Sequence, residues 1–175
     1  MQYSLAFNAT SHPKGTLLVQ DDGGTVRPAG HDTILAAARD VILNTRRRGE
    51  SMTSPEKVRD FLRLRLHPGL QHEVVGVLYL TSENELIAYD EPFRGTLGQA
   101  PLYPREIVKA ALAYNAAAII MAHNHPSGNP EPSRADVTAT GEVKAALQLV
   151  GVTLLDHLVV AGNAITSLAE RHLMP

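Results

Sequence analysis

The sequence predicts an α/β fold: a mixed β-sheet sandwiched by helices and preceded by a small helical N-terminal segment. Three observations carry that prediction. Apolar residues recur at helical spacing in three segments, and a fourth is marked out by its cap, Ser133, and its stop, Gly151. Short runs rich in β-branched residues lie between the later ones, as in Glu73–Leu80 (EVVGVLYL). After the first two helices the order is β-β-α-β-α-β-β, which suits one sheet covered by helices. With 175 residues, 44% of them hydrophobic, the chain can bury one sizeable core.

Taken in order, residues 1–30 allow two readings. TLLVQ (16–20) and TVRPA (25–29) flank Asp21-Asp22-Gly23-Gly24 as a hairpin would, or the whole stretch is a mobile arm. Ile34, Leu35, Ala38, Val41 and Ile42 mark one face of a helix from Asp32 to about Arg48, stopped by Gly49. Ser54-Pro55-Glu56 supplies an N-cap, a proline at the first helical position and an acid in the first turn. The helix it opens carries Val58, Phe61 and Leu62 on one side and closes at His67-Pro68-Gly69. Residues 1–53 are therefore expected to form an N-terminal arm and helix, and residues 54–175 the main domain.

Glu73–Leu80 and ELIAYD (85–90) read as antiparallel neighbours joined at Ser82-Glu83-Asn84, followed by a loop over 92–103. Pro104 opens a helix to about Asn115, with Ile107, Val108, Ala111 and Leu112 as its stripe. AAIIMA (117–122) is a short buried strand running into a loop from His123 to Pro132. Ser133 caps a helix to about Val150, ended by Gly151. VTLLD (152–156) and HLVVAG (157–162) are expected as two final strands.

Composition removes several classes of function. Sixteen Lys+Arg against eighteen Asp+Glu give a net charge of −2, a poor match for a protein that coats nucleic acid or an anionic membrane. Without cysteine there is no disulfide scaffold, Cys-ligated zinc, iron–sulfur cluster or thiol nucleophile, so any metal is held by His, Asp or Glu. No apolar stretch approaches the roughly 18 residues of a membrane span, and MQYSLAFNATSHPKG lacks the order of a secretory signal. The expected location is the cytoplasm.

One constellation carries chemistry. His123 and His125, at i and i+2 past a strand end, can address one metal if the backbone stays extended, and Pro126 keeps the preceding residue out of the helical region. Asp136 lies in the first turn of the next helix. Two imidazoles and a carboxylate are a normal protein shell for catalytic zinc, with the fourth position left to water. Each part has a plainer reading: a solvated histidine pair, and a Ser133-x-x-Asp136 capping box. The joint spacing favours the metal.

The run His123-Asn124-His125-Pro126-Ser127-Gly128-Asn129-Pro130-Glu131-Pro132-Ser133-Arg134-Ala135-Asp136 resembles the JAMM (MPN+) metalloprotease motif in its RadC-family form. Phe93-Arg94-Gly95-Thr96, Pro104-Arg105-Glu106, Asn115-Ala116-Ala117-Ala118 and Leu155-Asp156-His157 extend the resemblance from about Ser54 to Ala169. Residues 1–30 depart from longer RadC relatives, which carry a helix-hairpin-helix-like region there, so the chain resembles the family's short form. The resemblance implies a JAB/MPN, cytidine-deaminase-like fold and one zinc ion held by His123, His125 and Asp136. It implies that Glu73 moves the proton of the zinc-activated water, with Glu83, Glu85 and Glu91 as weaker rivals, and that Ser133 donates to the developing oxyanion. It assigns no chemistry to Asn124.

The function implied is a zinc-dependent metallopeptidase or isopeptidase, with a peptide or a ubiquitin-like protein tail as substrate. The 92–103 loop, with Phe93, Arg94, Gly95 and Tyr103, and the 127–132 loop are candidates for the groove's frame. Alternatives are a DNA-repair- or mobile-element-associated accessory protein and a metal-binding assembly domain. The stretch Arg39–Arg65 holds eight basic residues against four acids, which reads as a solvated helix face or, less directly, as a nucleic-acid contact. His12, His31, His67 and His172 lack ligand spacing; His72 reads as a surface residue and Asp156-His157 as a hydrogen-bonded support for the sheet.

Overall fold

The computed structural model describes residues 17–20, 24–44, 51–67, 69–95 and 102–175. Asp21–Gly23 of the expected turn, the Arg46–Arg48 run, Gly49, Pro68 and the part of the 92–103 loop that holds Gly98 lie outside them. The chain divides into two compact units, Met1–Arg46 and Arg47–Pro175. In the first, β1 (Leu18–Gln20) pairs antiparallel with β2 (Val26–Pro28), the hairpin of the two readings. The helix α1 (His31–Asn44) follows.

The second unit is a five-stranded mixed sheet with helices on both faces. It contains α2 (Pro55–Arg65), β3 (Val74–Leu80), β4 (Leu86–Arg94), α3 (Pro104–Ala113), β5 (Ala118–Asn124), α4 (Arg134–Gln148), β6 (Thr153–Ala161) and β7 (Ala164–Ser167). Strand order is β4-β3-β5-β6-β7, antiparallel except for β5 beside β6. The crossover that makes that pair parallel is α4, and its N-terminus consequently stands near the C-terminal end of β5.

Period-two alternation divides the core. Val74, Leu78 and Leu80 of β3 and Ala118, Ile120 and Ala122 of β5 meet Val58, Leu62 and Leu66 of α2 and its C-cap. Val75, Val77, Tyr79, Ile119 and Met121 face the other way, against Ile107 and Ala111 of α3 and Val143 and Leu147 of α4. Gly76 is the exception to the apolar run. A Cβ there would overlap the Tyr89 ring and hydroxyl on the neighbouring strand, so any larger residue would force Tyr89 to move.

Local signals set the helix ends. The Ser54 hydroxyl accepts from Lys57 N–H at α2. At the end of α3, Asn115 takes φ 52° while Asn115 N–H reaches Leu112 O and Ala116 N–H reaches Ala111 O, a Schellman closure that turns the chain into β5. Gly151, at φ 72°, does the same between α4 and β6.

Three expectations need correction. β4 continues through Pro92 to Arg94 rather than ending at Asp90; as an edge strand it tolerates a residue without N–H. His123 and Asn124 belong to β5, not to the loop. Residues 153–161 form one strand, not two, but with a register shift: Ile119 faces Leu154 and Ile120 faces Asp156. Leu155 is the extra residue, and beyond it the strand's facing is reversed. The final hairpin partner is β7, after Gly162.

Candidate metal centre

His123 is the last but one residue of the buried strand β5, paired with Val75 on one side and Val159 on the other, and its ring is on the α4 face. His125 lies just past the strand, yet its N–H still bonds Val160 O at 2.8 Å, so the extended backbone persists to Pro126. Asp136 is the third residue of α4. Its carboxylate accepts from Ser133 N–H at 2.6 Å while the Ser133 hydroxyl accepts from Asp136 N–H at 3.1 Å. The capping box and the metal reading are therefore one structure: the cap aims the carboxylate.

The Nε2 atoms of His123 and His125 stand 2.9 Å apart, and they lie 3.4 and 3.7 Å from the two Asp136 oxygens. Ligands of a tetrahedral zinc at 2.0–2.2 Å stand about 3.3 Å from each other. Among the described residues these are the group of His and acid side chains able to hold a metal ion, with ligand atoms all within 4.8 Å. The donor set suits zinc, and His125 is already oriented for it. Its Nδ1 lies 2.7 Å from Asn129 O, an acceptor only, so the proton is on Nδ1 and Nε2 turns a lone pair inward. Burial works to raise the Asp136 pKa; a positive charge at His123 Nε2, a proton there in the metal-free chain, and the two Ser133 bonds outweigh it and hold the carboxyl below its usual range. The group is an anion ready for a cation.

Glu73 is not one of the three converging donors. It immediately precedes β3, 8% exposed, and its carbonyl accepts from Gly95 N–H at 2.8 Å. Alternation places it on the same face as Val75, and the β3–β5 register, carried two residues further, sets it across from His125. Glu83 and Glu85 follow Leu80, at the opposite end of β3 from the histidines, and Glu91 accepts from the Tyr89 hydroxyl. Phe93 is buried, and its ring meets the exposed Tyr103 edge-on at 5.8 Å.

Sequence reasoning passed over three residues. Asn124, given no chemistry, is buried and bonds the backbone on both sides of Glu73: its Oδ1 accepts from Val74 N–H at 2.7 Å and its Nδ2 donates to His72 O at 3.0 Å. His157 does more than support the sheet, since its Nε2 is 2.9 Å from His123 Nδ1. Thr140, one helical turn after Asp136, is 2.6 Å from His157 Nδ1. The support role belongs to Asp156, whose carboxylate accepts from His157 N–H, Ala169 N–H and the Ser167 hydroxyl. Burial pushes the His157 pKa down to about 3, so the ring is neutral.

Comparison with known proteins covers this whole arrangement. The family described as RadC-like JAB domain matches residues 52–173. A UPF0758 protein of Leptothrix cholodnii is 48% identical over 168 residues, spanning 91% of this chain and 75% of its own length. A UPF0758 protein of Methylibium petroleiphilum is 49% identical over 151 residues, 86% of this chain and 68% of its own. A third, from Dechloromonas aromatica, is 56% identical over 126 residues, 71% of this chain and 55% of its own.

Proposed function

Because the chain belongs to the RadC family and carries its JAB domain, we propose that it is a zinc-dependent metallopeptidase or isopeptidase of JAMM type. The observation that carries this reading is the convergence of His123, His125 and Asp136 at the end of β5, with the buried Glu73 on the same face. Zinc bound there would supply Lewis acidity, making water a nucleophile near neutral pH and polarising a carbonyl.

The chain's own residues do the rest. Glu73 takes a proton from the attacking water as the water oxygen bonds to the carbonyl carbon, then passes it to the amide nitrogen as the C–N bond breaks. The Ser133 hydroxyl caps α4 through a lone pair, so its proton can be given to the developing oxyanion. Products are a carboxylate and an amine. The substrate class is an extended peptide or a ubiquitin-like protein tail, acted on in the cytoplasm.

The nucleic-acid alternative draws less support. On α2, Arg59 is held by Glu170 at 2.6 Å, Arg63 by Asp60 at 2.6 Å, and Arg65 stacks on Phe61 and Tyr89. No helix among the described residues is long and apolar enough to cross a membrane.

The test offers zinc-loaded protein a peptide library, ubiquitin-like conjugates, and single- and double-stranded DNA, with and without chelator. Chelator-sensitive amide cleavage is expected, abolished together with zinc binding in His125→Ala. Glu73→Gln is expected to keep its zinc while turnover falls about 10²–10⁴-fold. Turnover of DNA alone, or no turnover of any substrate, would overturn the reading.

A further inference from the structure

We propose that Thr140 and His157 are positioning residues that fix the ring tautomer of His123, so that its Nε2 lone pair faces the metal centre before any ion arrives. The proposal rests on the zinc reading above for its purpose, but its geometry stands alone. One group in the chain of contacts can only accept, the carbonyl of Asp136. The Thr140 hydroxyl donates to it at 2.6 Å. A hydroxyl has a single proton, so toward His157 Nδ1, also 2.6 Å away, Thr140 Oγ1 must accept. His157 therefore carries its proton on Nδ1.

With a hydroxyl and an imidazole as ring partners and 2% exposure, His157 is neutral, and its Nε2 has a lone pair to offer. At 2.9 Å from His123 Nδ1 that atom is an acceptor, so His123 donates from Nδ1 and its own Nε2 is bare. The relay thus begins on the backbone of one metal ligand and ends by setting the tautomer of another. Since Asn129 O fixes His125 in the same tautomer, two lone pairs face each other across 2.9 Å beside an anionic carboxylate. A metal ion, or a proton shared between the two rings, satisfies that arrangement.

Two features show the relay to be built rather than incidental. Thr140 is fully buried in the middle of α4, where a threonine gains nothing for the helix. The Leu155 bulge reverses the facing of β6 so that His157, opposite Met121, points to the same face as His123. Metal-ligating histidines more often donate to a carboxylate or a carbonyl. An imidazole in that place adds no second negative charge, leaving Asp136 the single anionic ligand of the three.

The experiment measures histidine ring ¹⁵N spectra of the metal-free and zinc-loaded chain, and zinc affinity by chelator competition, for wild type, Thr140→Val and Thr140→Ser. The wild type is expected to carry protons on His157 Nδ1 and His123 Nδ1 in both states. Thr140→Val, equal in shape but without the hydroxyl, is expected to lose the single His157 tautomer and to bind zinc about 10- to 100-fold more weakly. Thr140→Ser should restore both. A wild-type His157 protonated on Nε2, or a Thr140→Val protein with wild-type spectra and affinity, would overturn the proposal, and the first result needs no variant to fold. If the wild type binds no zinc the metal reading fails, while the metal-free spectra still decide the relay.

Discussion

On the face of the sheet covered by α2, the inward residues of β3, β5 and β6 are mostly apolar, among them Val74, Leu78, Leu80, Ile120, Ala122, Leu158 and Val160, with Asn124 and Asp156 as polar exceptions bonded to nearby backbone. On the face covered by α3 and α4 the same strands begin with the same residue types. Toward the C-terminal end of β5, however, they give way to His123, His157 and the facing Thr140, all buried. Burying polar groups costs stability unless each is hydrogen-bonded, and here each bonds the next. The first face thus stabilises the domain mainly by apolar burial, its few polar groups bonded to the backbone beside them. The second accepts a polar network where apolar packing was available, and what it gains is a fixed set of lone pairs.

The largest effect that separates the two faces should come from the first. Leu62 is fully buried between α2 and the sheet, and Leu62→Ala is expected to lower unfolding stability by about 2–5 kcal/mol. Zinc affinity of the folded protein should not change, because none of the three ligands touches that core. Urea unfolding beside chelator competition checks both. A parallel loss of zinc affinity would show that the faces are not independent.

That independence bears on how much could be read from the sequence. The helices were legible because their signals are local: Ser54-Pro55 at α2, Asn115 after α3, Gly151 after α4. So was the convergence of His123, His125 and Asp136, since they lie within one contiguous motif whose spacing follows from a strand, a loop and a first helical turn. Thr140 and His157 were not, for two physical reasons. A hydroxyl bonded to the carbonyl four residues earlier leaves no trace in composition or periodicity. The direction of His157 depends on a bulge that exists only in the pairing of β6 with β5, a long-range register. The same bulge, with Asp156 and His157 interrupting an apolar run, made one strand look like two. Pro92 looked like a loop because edge position cannot be seen locally.

Asn124, on the α2 side of β5, supplies the next, smaller separation, between the backbone that carries Glu73 and the histidines. Its side chain holds the backbone on either side of Glu73, while His123 and His125 flank it in sequence. Asn124→Ala leaves the buried Val74 N–H without its acceptor and is expected to cost about 1–3 kcal/mol of stability. Turnover should fall, because the chain carrying Glu73 is loosened, while zinc affinity holds, because the ligand set and the His157 relay are intact. Zinc loss with unchanged turnover per bound zinc would reverse the assignment and make Asn124 a support for the histidines instead.

The smallest effect comes from two neighbouring residues that bind opposite regions. After β7, Glu170 takes Arg59 of α2, and Arg171 takes Glu131 at 2.7 and 2.9 Å in the loop between His125 and Ser133. The Arg171 pair is exposed and the Arg59 pair is exposed on its Glu170 side, so Arg59→Gln and Arg171→Gln should each change stability by only about 0.2–1 kcal/mol. Their consequences for the centre should differ. Glu131 N–H bonds the Asn129 side chain, and the Asn129 carbonyl orients His125, so releasing Glu131 loosens a group that acts on a ligand. Arg171→Gln is therefore expected to weaken zinc binding by no more than about fivefold, the equivalent of roughly 1 kcal/mol, and Arg59→Gln to leave it alone. In about 1 M salt, where the Debye length shrinks to about 3 Å, wild type and Arg171→Gln should converge. If Arg59→Gln weakens zinc binding as much as Arg171→Gln does, the segment after β7 transmits strain between the faces and their independence is lost.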